Sequence, residues 1–98
     1  MVKHIILWQL KDECGDKNAV KAGIKAGLEG LLGVIPGLLD IKVYTGNLAS
    51  SNADVMLDSS FTDEDALKNY AGHPAHVAVA NSKVRPFTKT RLCLDFEQ

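Results

Sequence analysis

The sequence predicts an α+β fold, in which a four-stranded antiparallel sheet of ferredoxin-like βαββαβ order carries helices on one face. Two observations support this fold class. Segments with the two-residue periodicity of strands alternate with segments of helical periodicity, in the order strand, helix, strand, strand, helix pair, strand. The first strand is apolar on both faces, although a single layer of helices covers only one of them. We therefore expect a second copy of the chain to bury the other face.

The N-terminal half is predicted to hold one strand and one long helix. Residues 3–10 are rich in Ile, Leu and Trp, as is typical of a strand. After a polar loop, apolar side chains recur every three or four residues over residues 18–35, which predicts an amphipathic helix. Glycine inside a helix costs up to about 1 kcal/mol against alanine, so the glycines of this segment predict close packing on a neighbouring element. They are Gly23, Gly27, Gly30 and Gly33.

Turn and capping signals divide the rest of the chain. Pro36 with Gly37 ends the first helix, because proline cannot continue it. Thr62 is followed by three acidic residues, as is typical of a helix N-terminus, and Pro74 is typical of the first turn of another helix. The predicted elements are strands at residues 38–45 and 53–61, helices at residues 62–72 and 74–84, and a last strand at residues 91–96.

Length and composition indicate an ordinary globular chain. Its 98 residues suffice for one domain spanning residues 1–98, and 46% of them are hydrophobic, which is enough for a packed core. A net charge of −1 gives no general attraction for nucleic acid or for an anionic membrane, so neither is expected as a partner. A local basic cluster is interpreted as solvated surface. It consists of Lys83, Arg85, Lys89 and Arg91.

The cysteines and the N-terminus bear on the cellular compartment. Cys14 and Cys93 are the two cysteines, and neither lies in a metal-binding spacing motif. They are expected to stay reduced and not to bridge each other. The apolar start at residues 5–8 is too short for the core of a signal peptide or for a membrane span. We therefore expect a soluble cytoplasmic protein.

Four residues are candidates for chemistry: His4, Tyr70, His73 and His76. The last three lie three residues apart across a helix junction, so some of them should face the same way. His76 lies in the first turn of its predicted helix, where the positive end of the dipole disfavours a protonated imidazole. A neutral imidazole can act as a general base, and the hydroxyl of Tyr70 could stabilise negative charge on a substrate oxygen. His4, on the inner face of the first strand, could orient a ligand.

Structural alternatives stand beside this interpretation. His73, directly before Pro74, is also suited to capping the helix, and His76 could be a satisfied buried histidine. Imidazoles from His4, His73 and His76 could form a metal site, but no carboxylate is obviously placed to complete it. We expect neither a metal nor a cofactor. Trp8 is the only tryptophan, and on a central strand it either packs in the core or contacts a ligand together with His4 and His73.

Four segments carry a family resemblance. They are residues 2–7 (Val-Lys-His-Ile-Ile-Leu), 35–37 (Ile-Pro-Gly), 46–47 (Gly-Asn) and 70–77 (Tyr-x-x-His-Pro-Ala-His-Val). Together they resemble the stress-responsive A/B barrel domain, which belongs to the dimeric α+β barrel superfamily. The resemblance covers essentially the whole chain, and the His-Pro-x-His segment is its most specific part. It implies a homodimer in which two four-stranded sheets form a β-barrel at the interface.

The same resemblance implies several functions. The family includes a plant polyketide cyclase whose catalytic base and tyrosine match His76 and Tyr70, and its chemistry is a cofactor-free, aldol-type ring closure. The match is poor along the first helix, so that enzyme's substrate does not carry over. The alternatives are binding of a small hydrophobic molecule near His4, Tyr70 and His76, a cyclase-like lyase reaction with His76 as general base, and a cofactor-free or haem-degrading monooxygenase reaction. A purely structural role for these residues is the remaining alternative.

Overall fold

The computed structural model describes every residue from Met1 to Gln98. Its elements are β1 (Val2–Leu10), α1 (Lys17–Glu29), β2 (Leu38–Tyr44), β3 (Val55–Phe61), α2 (Glu64–Gly72), α3 (Pro74–Val79) and β4 (Thr88–Glu97). A π-helical turn (Ala80–Val84) and a 3₁₀ turn (Arg85–Phe87) join α3 to β4. The strands form one antiparallel sheet in the order β2-β3-β1-β4. This arrangement confirms the predicted ferredoxin-like fold.

Helix α1 is shorter than the sequence pattern predicts. It begins after Asp16, whose carboxylate caps the first backbone N–H groups, and it ends at Glu29 instead of Ile35. Irregular turns follow, since Gly33 adopts a positive φ of 83°, outside the right-handed helical region. Leu31 and Ile35 nevertheless lie in the core. Their apolar spacing therefore reflects burial of the turns and not a continued helix.

Close packing explains one glycine of α1. A Cβ atom on Gly27 would lie 2.8 Å from Cγ1 of Val79 in α3, which is too close without movement of that side chain. The same atom on Gly23 would make an ordinary contact of 3.7 Å with the side chain of Lys83. Helices α1 and α3 are therefore in close contact at Gly27, as the sequence predicts.

The helix predicted over residues 74–84 is divided in two. Helix α3 ends at Val79, and in the π-helical turn the backbone N–H of Arg85 donates to the carbonyl of Ala80. Pro86 cannot donate a backbone hydrogen bond to a preceding carbonyl, and it lies in the 3₁₀ turn that leads into β4. Ala80 and Val84 both remain buried, so the widened turn still contributes to the core.

Strand β4 is longer than the predicted segment 91–96. Its first residues are polar and show no apolar alternation, but their backbone pairs with the end of β1, where Leu10 opposes Thr88 across a bulge. β4 is an edge strand, and the helices pack over the other three strands. The side chains on the helix-facing side of β4 therefore stay accessible.

The core lies between the helices and the sheet. Its largest fully buried side chains include Phe61, Leu10, Ile24 and Leu28. They join β1 and β3 to α1 in one apolar cluster. None of the helices is long and apolar enough to cross a membrane.

The opposite face of the sheet is apolar and uncovered. In the register of the sheet, Ile5 opposes Leu94 and Leu7 opposes Leu92 across the β1–β4 pair. Leu92 and Leu94 are 64% and 62% exposed. Phe96 has the same orientation on β4, and it is 40% exposed. One chain thus leaves an exposed apolar surface across β1 and β4.

Candidate functional site

A cavity of about 910 Å³ lies on the helix-facing side of the sheet. Its floor comes from β1 and β4, and its other wall comes from α2, α3 and the turns after α3. It opens to solvent along β4, because no helix covers that edge strand and its residues Arg91, Cys93 and Asp95 are exposed. The cavity therefore combines an apolar floor with a polar margin.

Tyr70 is placed in the cavity wall by helix α2. Asp63 caps this helix by accepting a hydrogen bond of 2.8 Å from the backbone N–H of Ala66, so the cap lies one residue after the predicted Thr62. Ala66 and Tyr70, four residues apart, both face inward and are buried. The Tyr70 ring packs on Phe61 with a centroid separation of 5.0 Å.

The Tyr70 hydroxyl is a buried polar group without a hydrogen-bond partner. The residue is 1% exposed, and burial raises the pKa of Tyr70 to about 12. The hydroxyl is therefore protonated at neutral pH and can donate a hydrogen bond. Buried tyrosine hydroxyls usually find a partner, and leaving one unpaired costs about 1–3 kcal/mol. A ligand oxygen in the cavity would supply the missing partner.

His76 lies against Tyr70, with ring centroids 4.3 Å apart. The chain changes direction between the two residues at His73, whose extended backbone separates α2 from α3. As a result, the first turn of α3 places His76 against Tyr70. The Nδ1 atom of His76 lies 3.1 Å from the carbonyl oxygen of Ala71 and must donate to it, since a carbonyl only accepts. In the neutral ring, Nε2 is therefore the unprotonated nitrogen and is free to accept a proton.

The pKa of His76 is lowered from its ordinary value of 6.5. Burial is the largest cause, the hydrogen bond to Ala71 opposes it, and the positive charges of Arg85 and Arg91 lower the pKa further. The sequence prediction of a neutral His76 agrees with this direction, and burial is a cause that the sequence did not indicate. Burial and the nearby guanidinium groups of Arg85 and Arg91 lower the pKa of the ring, and the helix that carries it spans only six residues.

His4 lies on the same floor of the cavity and is buried, with 6% exposure. Its ring meets the ring of Tyr70 edge to face at a centroid distance of 6.0 Å. Its Nδ1 atom contacts the carboxylate of Asp95 on β4 and lies 3.7 Å from Sγ of Cys93. The three predicted residues His4, Tyr70 and His76 are thus brought together around one cavity.

His73 and Trp8, the other predicted ligand-binding residues, are placed differently. The Nδ1 atom of His73 accepts a hydrogen bond of 3.1 Å from the backbone N–H of Ala75, so this side chain caps α3 and is absent from the cavity lining. The hypothetical metal site of His4, His73 and His76 therefore does not assemble. Trp8 is 4% exposed and forms part of the apolar cavity floor as a core residue.

Four polar residues at the edge of the cavity were not among the residues that the sequence predicts for the site. Arg85 and Arg91 both line the cavity, whereas the sequence predicts only solvated surface at these positions. Neither forms an ion pair, and Arg85 donates to the side chain of Asn81. Cys93 and Asp95 also line it, because they alternate with Arg91 on one face of β4. That alternation of polar residues in the last strand was the signal that could have identified them.

Comparisons with known proteins agree with this architecture. The family model described as "Stress responsive A/B Barrel Domain" matches residues 2–98. An uncharacterized protein of Streptomyces coelicolor, SCO4036, is 35% identical over 83 residues, which cover 80% of this chain and 81% of that protein. Both findings extend over most of the sequence.

Solved structures share the fold. A dimeric protein of unknown function with a ferredoxin-like fold from Bacteroides fragilis superposes with a TM-score of 0.91 at 31% identity, covering 99% of this chain and 95% of the other. A hydroxynitrile lyase from Passiflora edulis superposes with a TM-score of 0.73 at 17% identity, covering 97% and 90%, which shows a common fold alone. With the family model matching nearly every residue, the chain belongs to the family of stress-responsive A/B barrel domains.

Proposed function

We propose that this protein binds a small, largely apolar molecule that carries an oxygen atom, in the cavity beside His4, Tyr70 and His76. The observation that carries the proposal is the Tyr70 hydroxyl, buried and unpartnered beside a histidine whose Nε2 is free. A purely structural tyrosine–histidine pair would be expected to satisfy its own polar atoms. The apolar floor supports a hydrophobic ligand body, and the polar atoms support one fixed oxygen.

The same pair can carry out proton transfer without a cofactor. A neutral His76 would accept a proton at Nε2 from a carbon next to a carbonyl group. The electron pair of that C–H bond would form a carbon–carbon double bond, and the π pair of the carbonyl would move to its oxygen, where the Tyr70 hydroxyl donates a hydrogen bond to the developing enolate. The enolate carbon would then attack a second carbonyl carbon, or the enolate would expel a leaving group, and protonated His76 would give its proton to the resulting alkoxide or to the leaving group. This chemistry suits the cyclase-like lyase alternative, and a hydroxynitrile lyase has the same fold.

The monooxygenase alternative stays a sequence-based prediction. No contact in the cavity favours it over proton transfer.

A homodimer through the uncovered sheet face forms part of the proposal. The exposed apolar residues of β1 and β4 form one surface instead of being scattered singly. A second copy of the chain is the simplest partner that could bury this surface. The description of the Bacteroides fragilis relative as dimeric supports this arrangement. The cavity lies on the opposite face of the sheet, so pairing would leave it accessible.

Two probes test the cavity. 2-Naphthol has an apolar ring system and one hydroxyl oxygen, and we expect isothermal titration calorimetry to show its binding. Tyr70→Phe should weaken binding by roughly 2- to 12-fold, the equivalent of one hydrogen bond. Tyr44→Phe is the matched control, because it deletes the hydroxyl of an exposed tyrosine outside the cavity. Equal binding by the parent and by Tyr70→Phe would contradict the assignment of this hydroxyl.

The second probe is acetophenone in D₂O, whose methyl protons exchange for deuterium when a base removes them. Nuclear magnetic resonance should show faster exchange with the parent than with His76→Ala, at equal concentrations of folded protein. An exchange rate unaffected by His76→Ala would end the proposal that this residue is a base.

A further inference from the structure

One cluster of side chains in the structure has no part in the proposed proton transfer. His4 on β1 opposes Asp95 on β4, and Ile6 opposes Cys93, so the antiparallel register places the three polar side chains on one face of the strand pair. Their potential ligand atoms, one imidazole nitrogen, one sulfur and one carboxylate oxygen, lie within 4.8 Å of one another. All three residues line the cavity.

The spacing of these atoms is close to that of a tetrahedral zinc site. Nitrogen and sulfur atoms bound to the same tetrahedral Zn²⁺ lie roughly 3.5 Å apart, given the usual zinc–ligand distances. Nδ1 of His4 lies 3.7 Å from Sγ of Cys93, which lies 3.5 Å from Oδ1 of Asp95. His4 and Asp95 are in hydrogen-bond contact with each other. The Asp95 side chain is 44% exposed and has room to turn, so that the metal would replace the proton between them.

The identity of the donors decides the metal. One imidazole, one thiolate and one carboxylate suit Zn²⁺, whereas Mg²⁺ and Ca²⁺ prefer oxygen donors alone. Three protein ligands leave a fourth tetrahedral position, as in catalytic zinc sites. Because the three residues line the cavity, this position would face it. Tyr70, whose buried hydroxyl has no hydrogen-bond partner in the protein, lines the same cavity.

We propose that His4, Cys93 and Asp95 bind a Zn²⁺ ion whose fourth coordination position opens into the cavity. The three ligands come from the first and last strands, and His4 and Cys93 are 89 residues apart in the chain. A short spacing motif in the sequence therefore could not reveal the site. It goes beyond the proposed function, because the metal would bind in the absence of any organic ligand.

Cobalt binding tests the proposal directly. Co²⁺ occupies zinc sites, and a cysteine thiolate bound to it gives a charge-transfer absorption in the near ultraviolet. The full-length chain, freed of metal by chelator, reduced and kept under argon, is titrated with CoCl₂. We expect this band to saturate at one Co²⁺ per chain and to disappear when Zn²⁺ is added.

The two cysteines provide a matched pair of variants. Cys93→Ser should abolish the band, whereas Cys14→Ser should retain it, because Cys14 lies outside the cavity. Asp95→Asn should lower the affinity for Co²⁺ at least about tenfold. Cys93 and Asp95 are both exposed, so their variants should fold. A variant of the third ligand, His4→Gln, is a weaker test because His4 is buried and its replacement could unfold the chain.

The outcomes separate the two proposals. Absence of the band in the parent, its loss in Cys14→Ser, or its persistence in Cys93→Ser would each overturn the zinc site. None of these results depends on 2-naphthol or acetophenone, so the small-molecule proposal is tested separately.

Discussion

Tyr70 and His76 pack ring against ring, yet their polar atoms are satisfied differently. The histidine donates to a backbone carbonyl, whereas the tyrosine hydroxyl has no partner within the protein. Ser59 provides the contrast, since its buried hydroxyl donates 2.9 Å to the carbonyl of His4. The two hydroxyls are equally buried, but removing them should therefore change the free energy of unfolding by different amounts.

The first prediction compares these hydroxyls. Tyr70→Phe removes an unsatisfied polar atom and should leave the free energy of unfolding unchanged or slightly increased. Ser59→Ala removes a hydrogen bond to a buried carbonyl, and it should cost about 1 kcal/mol. Urea unfolding of both variants beside the parent gives the comparison. A loss above about 1 kcal/mol for Tyr70→Phe would mean that the hydroxyl has a partner in the folded protein.

The second prediction concerns acid stability. Because the pKa of His76 in the folded chain lies below 6.5, the unfolded chain binds the proton first as the pH falls. The stability is therefore full above 6.5 and decreases as the pH drops from 6.5 through the folded pKa. Substituting His76→Gln should flatten this part of the curve of urea midpoint against pH. A curve that is identical in the variant would exclude His76 as the group responsible.

At the scale of elements, the junction of α1 and β2 depends on one glycine. Gly37 has a positive φ of 83°, and a Cβ atom there would lie 2.5 Å from Cβ of Ala66 in α2. Backbone conformation and contact both exclude a side chain, so the turn that starts β2 is fixed by this residue. The Ile35-Pro36-Gly37 segment singled out in the sequence thus has a structural cause.

The third prediction follows from that contact. Gly37→Ala should destabilise the fold by roughly 1–3 kcal/mol, because it combines a strained φ with an overpacked contact. Gly46→Ala is the matched control, since its Cβ would meet no atom within 4 Å and its φ is not positive. Urea midpoints should separate the two variants clearly. Equal midpoints would show that α2 can move away at little cost.

At the scale of the whole molecule, the sheet has one covered face and one bare face. The bare face presents Leu92, Leu94 and Phe96 on the edge strand, beside Ile5 and Leu7 of β1. It also holds a charged pair, Lys3 with Asp58, so pairing would enclose polar as well as apolar groups.

The fourth prediction tests this surface in solution. Leu94→Asp should convert a dimer to monomers or weaken it strongly, because it places a carboxylate in an apolar interface. Leu48→Asp is the control, as Leu48 is 73% exposed in the loop after β2. Sedimentation velocity at micromolar concentration measures both. A folded monomer of the parent chain at that concentration would contradict the proposed dimer.

The sequence by itself determined the order of elements and the antiparallel sheet, because these follow from periodicity and capping. Spacing indicated that some of Tyr70, His73 and His76 face the same way, and the structure shows that Tyr70 and His76 do. The sequence pattern predicted that α1 continues to Ile35, whereas the helix ends at Glu29. Apolar spacing indicates which residues are buried, but it does not distinguish a helix from buried turns. The tertiary structure alone decided that His73 caps α3, that burial keeps His76 neutral, and that His4 meets Cys93 and Asp95. The contacts of His4 join residues about 90 positions apart, and only the pairing of β1 with β4 sets their register.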